Sequence, residues 1–88
     1  MNDETYGQKI LLEVGDRVEA IGYVGRIHLG GKRGVVKYID SGGSRPVLVE
    51  FSKPFDEGHD GTGRCKPGHG WWGEHEDFKV IKTKKRRK

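Results

Sequence analysis

Apolar residues never run far in this chain before a glycine or a charged residue interrupts them. Fifteen glycines are spread over 88 residues, and the apolar segments between them, such as Val35-Val36 and Val47-Leu48-Val49, are short and β-branched. An amphipathic helix repeats its apolar residues every 3.6 positions over about ten residues or more, whereas strands need only about 4–8 residues, so these segments suit strands. Glycine turns, with only three prolines in the chain, complete the pattern of a small all-β domain. Apolar residues make up 32% of the chain. Globular domains reach roughly 45–50% when glycine is counted, and the glycines here close that gap, so the body can fold. The length fits one domain with a small core.

Residues 1–8 are polar and are expected to be flexible. Leu11-Leu12-Glu13-Val14, with Ile10 before it, is the first periodic segment, and Gly15-Asp16 marks a turn. Arg17-Val18-Glu19-Ala20-Ile21 alternates charged and apolar residues, as a half-buried strand does. Gly22 to Gly31 reads as a loop with a short strand at Tyr23-Val24. A second full strand is expected over Gly34–Asp40, rich in β-branched and aromatic residues, and a turn at Ser41–Ser44. The third spans Pro46–Phe51, with Val47, Val49 and Phe51 on one face. Pro46 stands first in it, where no ladder donor is required. Residues 52–70 hold five glycines and no periodicity, and a loop of 19 residues in so small a domain is either functional or disordered. Gly70-Trp71-Trp72-Gly73 follows as a strand, Glu74–Asp77 as one helical turn, and Phe78–Ile81 as the last strand. Five strands, with a long Gly-rich loop between the third and fourth, fit a small SH3-like barrel over residues 9–81, in which closure hides the edge groups.

Charge is unevenly placed. Lys and Arg number 17 and Asp and Glu 13, net +4, but six cations fall within residues 82–88, leaving 11 cations and 13 anions in residues 1–81. Lys82, Lys84, Lys85, Arg86, Arg87 and Lys88 therefore form a basic tail on a mildly acidic body. So dense a run of like charge is expected to be disordered, and it can attract phosphates or simply stay solvated. Between Val24 and Ile39 lie Arg26, Lys32, Arg33 and Lys37 and no acid. This hairpin is a candidate phosphate-facing edge, or an ordinary solvated turn.

Val14-Gly15-Asp16-Arg17-Val18, followed by Gly31-Lys32-Arg33-Gly34-Val35-Val36-Lys37-Tyr38-Ile39, resembles the KOW motif of ribosomal and transcription-elongation proteins. Within it, Gly34 is expected to take a turn conformation that a Cβ would resist. Val47-Leu48-Val49-Glu50-Phe51, a polar loop, and then Trp71-Trp72 through Glu74-His75-Glu76-Asp77-Phe78-Lys79-Val80-Ile81 is similar to the small SH3-like proteins common in bacteriophages and some bacteria. Together the two matches cover residues 14–81. They imply an SH3-like barrel and either nucleic-acid-bound machinery or a host protein as partner. A more distant likeness joins Glu50–Pro54 and His59-Asp60-Gly61 to CAP-Gly domains, without the Lys and Asn of their peptide-binding loop.

Trp71 and Trp72 are adjacent, so in a strand they face opposite sides. One can enter the core, while the other lies near the surface or beneath the long loop. With Tyr38 they are candidate partner-binding residues, because a surface aromatic anchors a protein or stacks a base; the alternative is a lid on the loop. The loop also holds His59, Asp60, Cys65 and His69, with His75 beyond. Cys65 and His69 are close enough in sequence to share a zinc ion, yet no second ligand pair repeats the spacing, and neither a metal nor another cofactor is expected. Cys65, His69 and Asp60 also have the residue types of a thiol nucleophile, its base and its orienting group. No family signature surrounds them and no phosphate-binding fingerprint is present, so catalysis is not expected.

The sequence therefore points to a non-enzymatic binding protein that engages nucleic acid, or nucleic-acid-bound machinery such as transcription complexes, through the basic hairpin and tail. The alternative is a phage-type module that binds and inhibits a host protein through the Trp pair and the long loop. A membrane or a small-molecule substrate is not expected: no run reaches the ~20 apolar residues of a membrane helix. Met1-Asn2-Asp3-Glu4-Thr5 does not read as a signal peptide. The single Cys65 fits a reducing cytoplasm, that of the host if the chain is phage-encoded.

Overall fold

The computed structural model describes residues 11–81. The flexible segment expected over 1–8 and the basic tail expected over 82–88 lie outside the described residues. Within them the chain is all-β, with strands β1 (Arg17–Ala20), β2 (Tyr23–Val24), β3 (Ile27–His28), β4 (Arg33–Ile39), β5 (Val47–Phe51), β6 (Gly70–Gly73) and β7 (Phe78–Val80). The turn expected at Glu74–Asp77 is a single 3₁₀ turn, His75–Asp77. Among the described residues no helix is long and apolar enough to cross a membrane.

Five strands form one antiparallel sheet in the order β6-β5-β4-β1-β7, and β2 and β3 form a separate two-stranded ribbon. Alternation sets the inner face of the sheet. Val18 and Ala20 of β1, Val36 of β4, Val47, Val49 and Phe51 of β5 and Phe78 of β7 are all at most 1% exposed and pack as one core. The short strand expected at Tyr23-Val24 is β2, and the rest of the expected loop is not irregular: β3 pairs with β2 in a hairpin that folds about Gly25-Arg26 and buries Val24. Trp71 fastens it to β6, its indole N–H donating to the Val24 carbonyl at 2.9 Å.

Leu11–Val14 forms no strand; it runs beside the core and buries only Leu12. The Leu12 amide donates to Nδ1 of His75 at 2.9 Å. Replacing His75 with Ala leaves that half-buried amide without its acceptor. The expected loss is about 1 kcal/mol, at the low end for an unsatisfied group because water reaches the site in part. Urea unfolding of His75→Ala checks it.

The sheet does not close into a barrel, which corrects the closure expected from strand count. β6 and β7 are the two ends of the strand order. The reason lies in the long loop. His59 forms an isolated antiparallel bridge with Gly70, each amide donating to the other's carbonyl at 3.0 and 2.7 Å, on the edge of β6 that closure would require. β7 turns away through the 3₁₀ turn and pairs with β1.

Candidate nucleic-acid interface

The face of the sheet opposite the core carries the side chains that alternate with it. On β1 these are Arg17 and Glu19, on β4 Arg33 and Val35, on β5 Leu48 and Glu50, on β6 Trp72 and on β7 Lys79. A bulge between Val36 and Tyr38 breaks the alternation of β4. It sends two consecutive residues outward: Lys37 pairs with Glu50, and Tyr38 stands opposite Leu48.

The loop over residues 52–69 folds back onto this face. Its turn is built locally: the Gly61 amide donates to His59 Nδ1, the Thr62 amide to Asp60 Oδ1, and the Gly63 and Cys65 amides to the Asp60 carbonyl. Gly61 (φ +58°) lies so close to Leu48 that a Cβ there would stand 2.5 Å from Leu48 Cδ2. Leu48 is therefore fully buried although it sits opposite the core, and Cys65 is 7% exposed. The Lys66 amide donates to Glu50 Oε2 at 2.7 Å and anchors the end of the turn to β5.

The result is a cation-rich surface. Arg17, Arg33, Lys37, Arg64, Lys66 and Lys79 share it with Glu19, Glu50 and, on the loop, Asp60, a local net of +3. Residues 11–81 as a whole carry ten cations and eleven anions, net −1, so the excess is confined to one face. Two carboxylates serve three of these groups. Arg33 Nε is 3.0 Å and Lys79 Nζ 3.7 Å from Glu19, while Lys37 Nζ is 3.8 Å from Glu50. The cations of these pairs are exposed while Glu19 and Glu50 are partly covered, and surface pairs of this kind contribute only ~0–1 kcal/mol each. Between β1, β4 and the loop runs a groove of ≈ 250 Å³ lined in part by Arg17, Arg33, Lys66 and His69. The His69 ring is fixed there, Nδ1–H donating to the Phe51 carbonyl at 2.7 Å.

The four cations of the expected basic hairpin are not gathered together. Arg33 and Lys37 belong to the outer face. Lys32 lines a second hollow of ≈ 290 Å³ with Arg33 and Lys53. Arg26 occupies the β2–β3 turn next to Gly25, over which the Arg45 guanidinium lies, at the opposite end of β4 from Lys32. Lys82, Lys84, Lys85, Arg86, Arg87 and Lys88 lie outside the described residues. Trp71 and Trp72 do face opposite sides: Trp71 packs inward against the core, Phe55 and His59, while Trp72 meets Tyr38 on the outer face. Sequence reasoning missed Arg17, Arg64, Lys66 and Lys79. The period-2 rule applied to β1 and β7 would have found Arg17 and Lys79; the other two depend on how the loop folds.

Among the described residues no three His, Cys, Asp or Glu side chains gather as metal ligands. Nδ1 of His59, His69 and His75 each bonds a backbone group. Burial pushes the Cys65 thiol up from its ordinary value, and the negative charge of Glu50 adds to this, with Lys37 opposing and Asp60 reinforcing. A thiol so placed stays protonated at neutral pH and is a poor nucleophile. Compared with known proteins, the chain matches no family profile, no curated protein and no solved structure.

Proposed function

We propose that this chain is a non-enzymatic binding protein that engages nucleic acid, or machinery bound to it, through the outer face of its five-stranded sheet. The observation that carries the reading is the local charge of +3 on the outer face of a body of −1, a face that also holds a groove between β1, β4 and the loop. Phosphates reward clustered cations because each neutralised phosphate releases counterions. Five antiparallel strands and a 3₁₀ turn before the last also support an SH3-like reading of the fold, as an open rather than closed form.

Fluorescence anisotropy with short nucleic acids at several salt concentrations tests the proposal. Replacing Arg17 and Arg33 together with Ala should weaken binding and flatten the log–log salt dependence by about 0.7–0.9 for each phosphate that is no longer neutralised. Arg26→Ala, at the far end of β4, should leave the slope unchanged. Deleting residues 82–88 should lower affinity and slope further. Absence of binding at low salt would overturn the reading. A protein partner would then take its place. That second reading is favoured by Tyr23 and Ile21, which are 67% and 48% exposed.

A further inference from the structure

We propose that Tyr38, Trp72 and Arg64 form a stacking site for an unpaired nucleobase, so that the preferred ligand is a single strand rather than a duplex. The inference rests on the nucleic-acid reading above and narrows it.

Tyr38 is brought to the outer face by the β4 bulge and keeps 37% of its surface exposed. Trp72 holds the ring from one side, edge to face, with centroids 6.3 Å apart and planes at 90°. Over the ring lies the planar guanidinium of Arg64, Cζ 3.9 Å from the centroid. That is the place and distance at which a flat ligand stacks. Arg64 is held there by a hydrogen bond, Nη1 donating to Thr62 Oγ1 at 3.2 Å. Thr62 itself sits at φ +57°, in the left-handed region that a β-branched residue rarely adopts.

Such a cover can be exchanged. A base stacked on an aromatic ring is a stronger contact than an exposed cation over that ring. A base that displaces the guanidinium leaves Arg64 free on its loop beside Lys66 and Lys37, where the flanking phosphate of the same nucleotide can reach it. A duplex offers no free base face, because its bases already stack on one another. The groove at Arg17, Arg33 and Lys66 supplies charge to either form of nucleic acid, whereas the Tyr38 site discriminates between them.

The test compares a labelled oligothymidylate with a duplex of equal length, both at the same salt concentration, by fluorescence anisotropy. The single strand should bind the wild type several-fold more tightly and quench the tryptophan emission. Tyr38→Ile keeps a good strand former at the position but removes the ring; it should weaken single-strand binding about tenfold and leave duplex binding within about twofold. Tyr38→Phe keeps the stacking surface and should bind as the wild type does. Equal affinity for the two ligands, with Tyr38→Ile silent on both, would overturn the stacking site while the cationic face stood. Binding to neither would overturn both.

Discussion

Leu48→Ala should destabilise the protein by about 3 kcal/mol, as large as a core truncation, although Leu48 points away from the core. Its side chain is fully buried between the sheet and the loop, with Gly61 against its methyl groups and Tyr38 and Trp72 opposite it in the neighbouring strands. Truncating the side chain to a methyl leaves a void that the loop cannot fill, because its turn is already fixed by the bonds to His59 and Asp60. In a domain of this size each kcal/mol moves the melting midpoint by ~4–8 °C, so a fall of roughly ten degrees or more is expected. Hydrogen exchange at the Gly63 and Cys65 amides, both bonded to the Asp60 carbonyl, should accelerate with it. A change below about 1 kcal/mol, close to that of an exposed substitution, would mean that the loop does not depend on this contact.

Gly34→Ala is expected to cost about 3 kcal/mol, the upper end for overpacking, because the added carbon meets backbone. Its Cβ would run into the Glu50 carbonyl and stand 2.8 Å from Val49 Cγ1. Gly34 lies opposite Phe51 in the central β4–β5 ladder, and that ladder cannot move without opening the core. Gly42→Ala is the control. The nearest heavy atom to a Cβ there is Asp40 Oδ1 at 3.9 Å, so stability should change by less than about 0.5 kcal/mol in the same urea titration. Gly34 was expected to open a strand in a turn conformation; it does lie in a strand, but close approach of the neighbouring strand, rather than a special dihedral, demands glycine there.

Strands were legible because their pattern is local. Arg17-Val18-Glu19-Ala20 and Val47 through Phe51 announce their inner faces by alternation alone, and the structure buries Val18, Ala20, Val47, Val49 and Phe51 accordingly. Two features of the outer face do not follow from alternation, for the same reason. Strict alternation from Val36 would send Tyr38 into the core, and only the bulge, which depends on pairing with Leu48, turns it outward. Leu48 reads as an exposed position, and only the returning loop buries it. The conformation of residues 52–69 is set by contacts with a strand that ended earlier in the chain, a dependence that no period in the loop itself can show. Arg64 and Lys66 reach the cationic face by that route, while Arg26, which looked like a member of it, is carried off by the β2–β3 hairpin.

The bridge between His59 and Gly70 bears on how copies of this chain behave when crowded. The free margin of an outermost strand is a template on which an extended segment of another molecule can add, the first step of aggregation through β-pairing. On β6 that margin opens at Gly70, and there the rung is already taken by the protein's own loop, both amide–carbonyl bonds being made within the chain. A segment that pairs at Gly70 must first strip His59 from the strand, along with its ring contact to Trp71. The loop that arranges the cationic face thus also guards this margin against self-association.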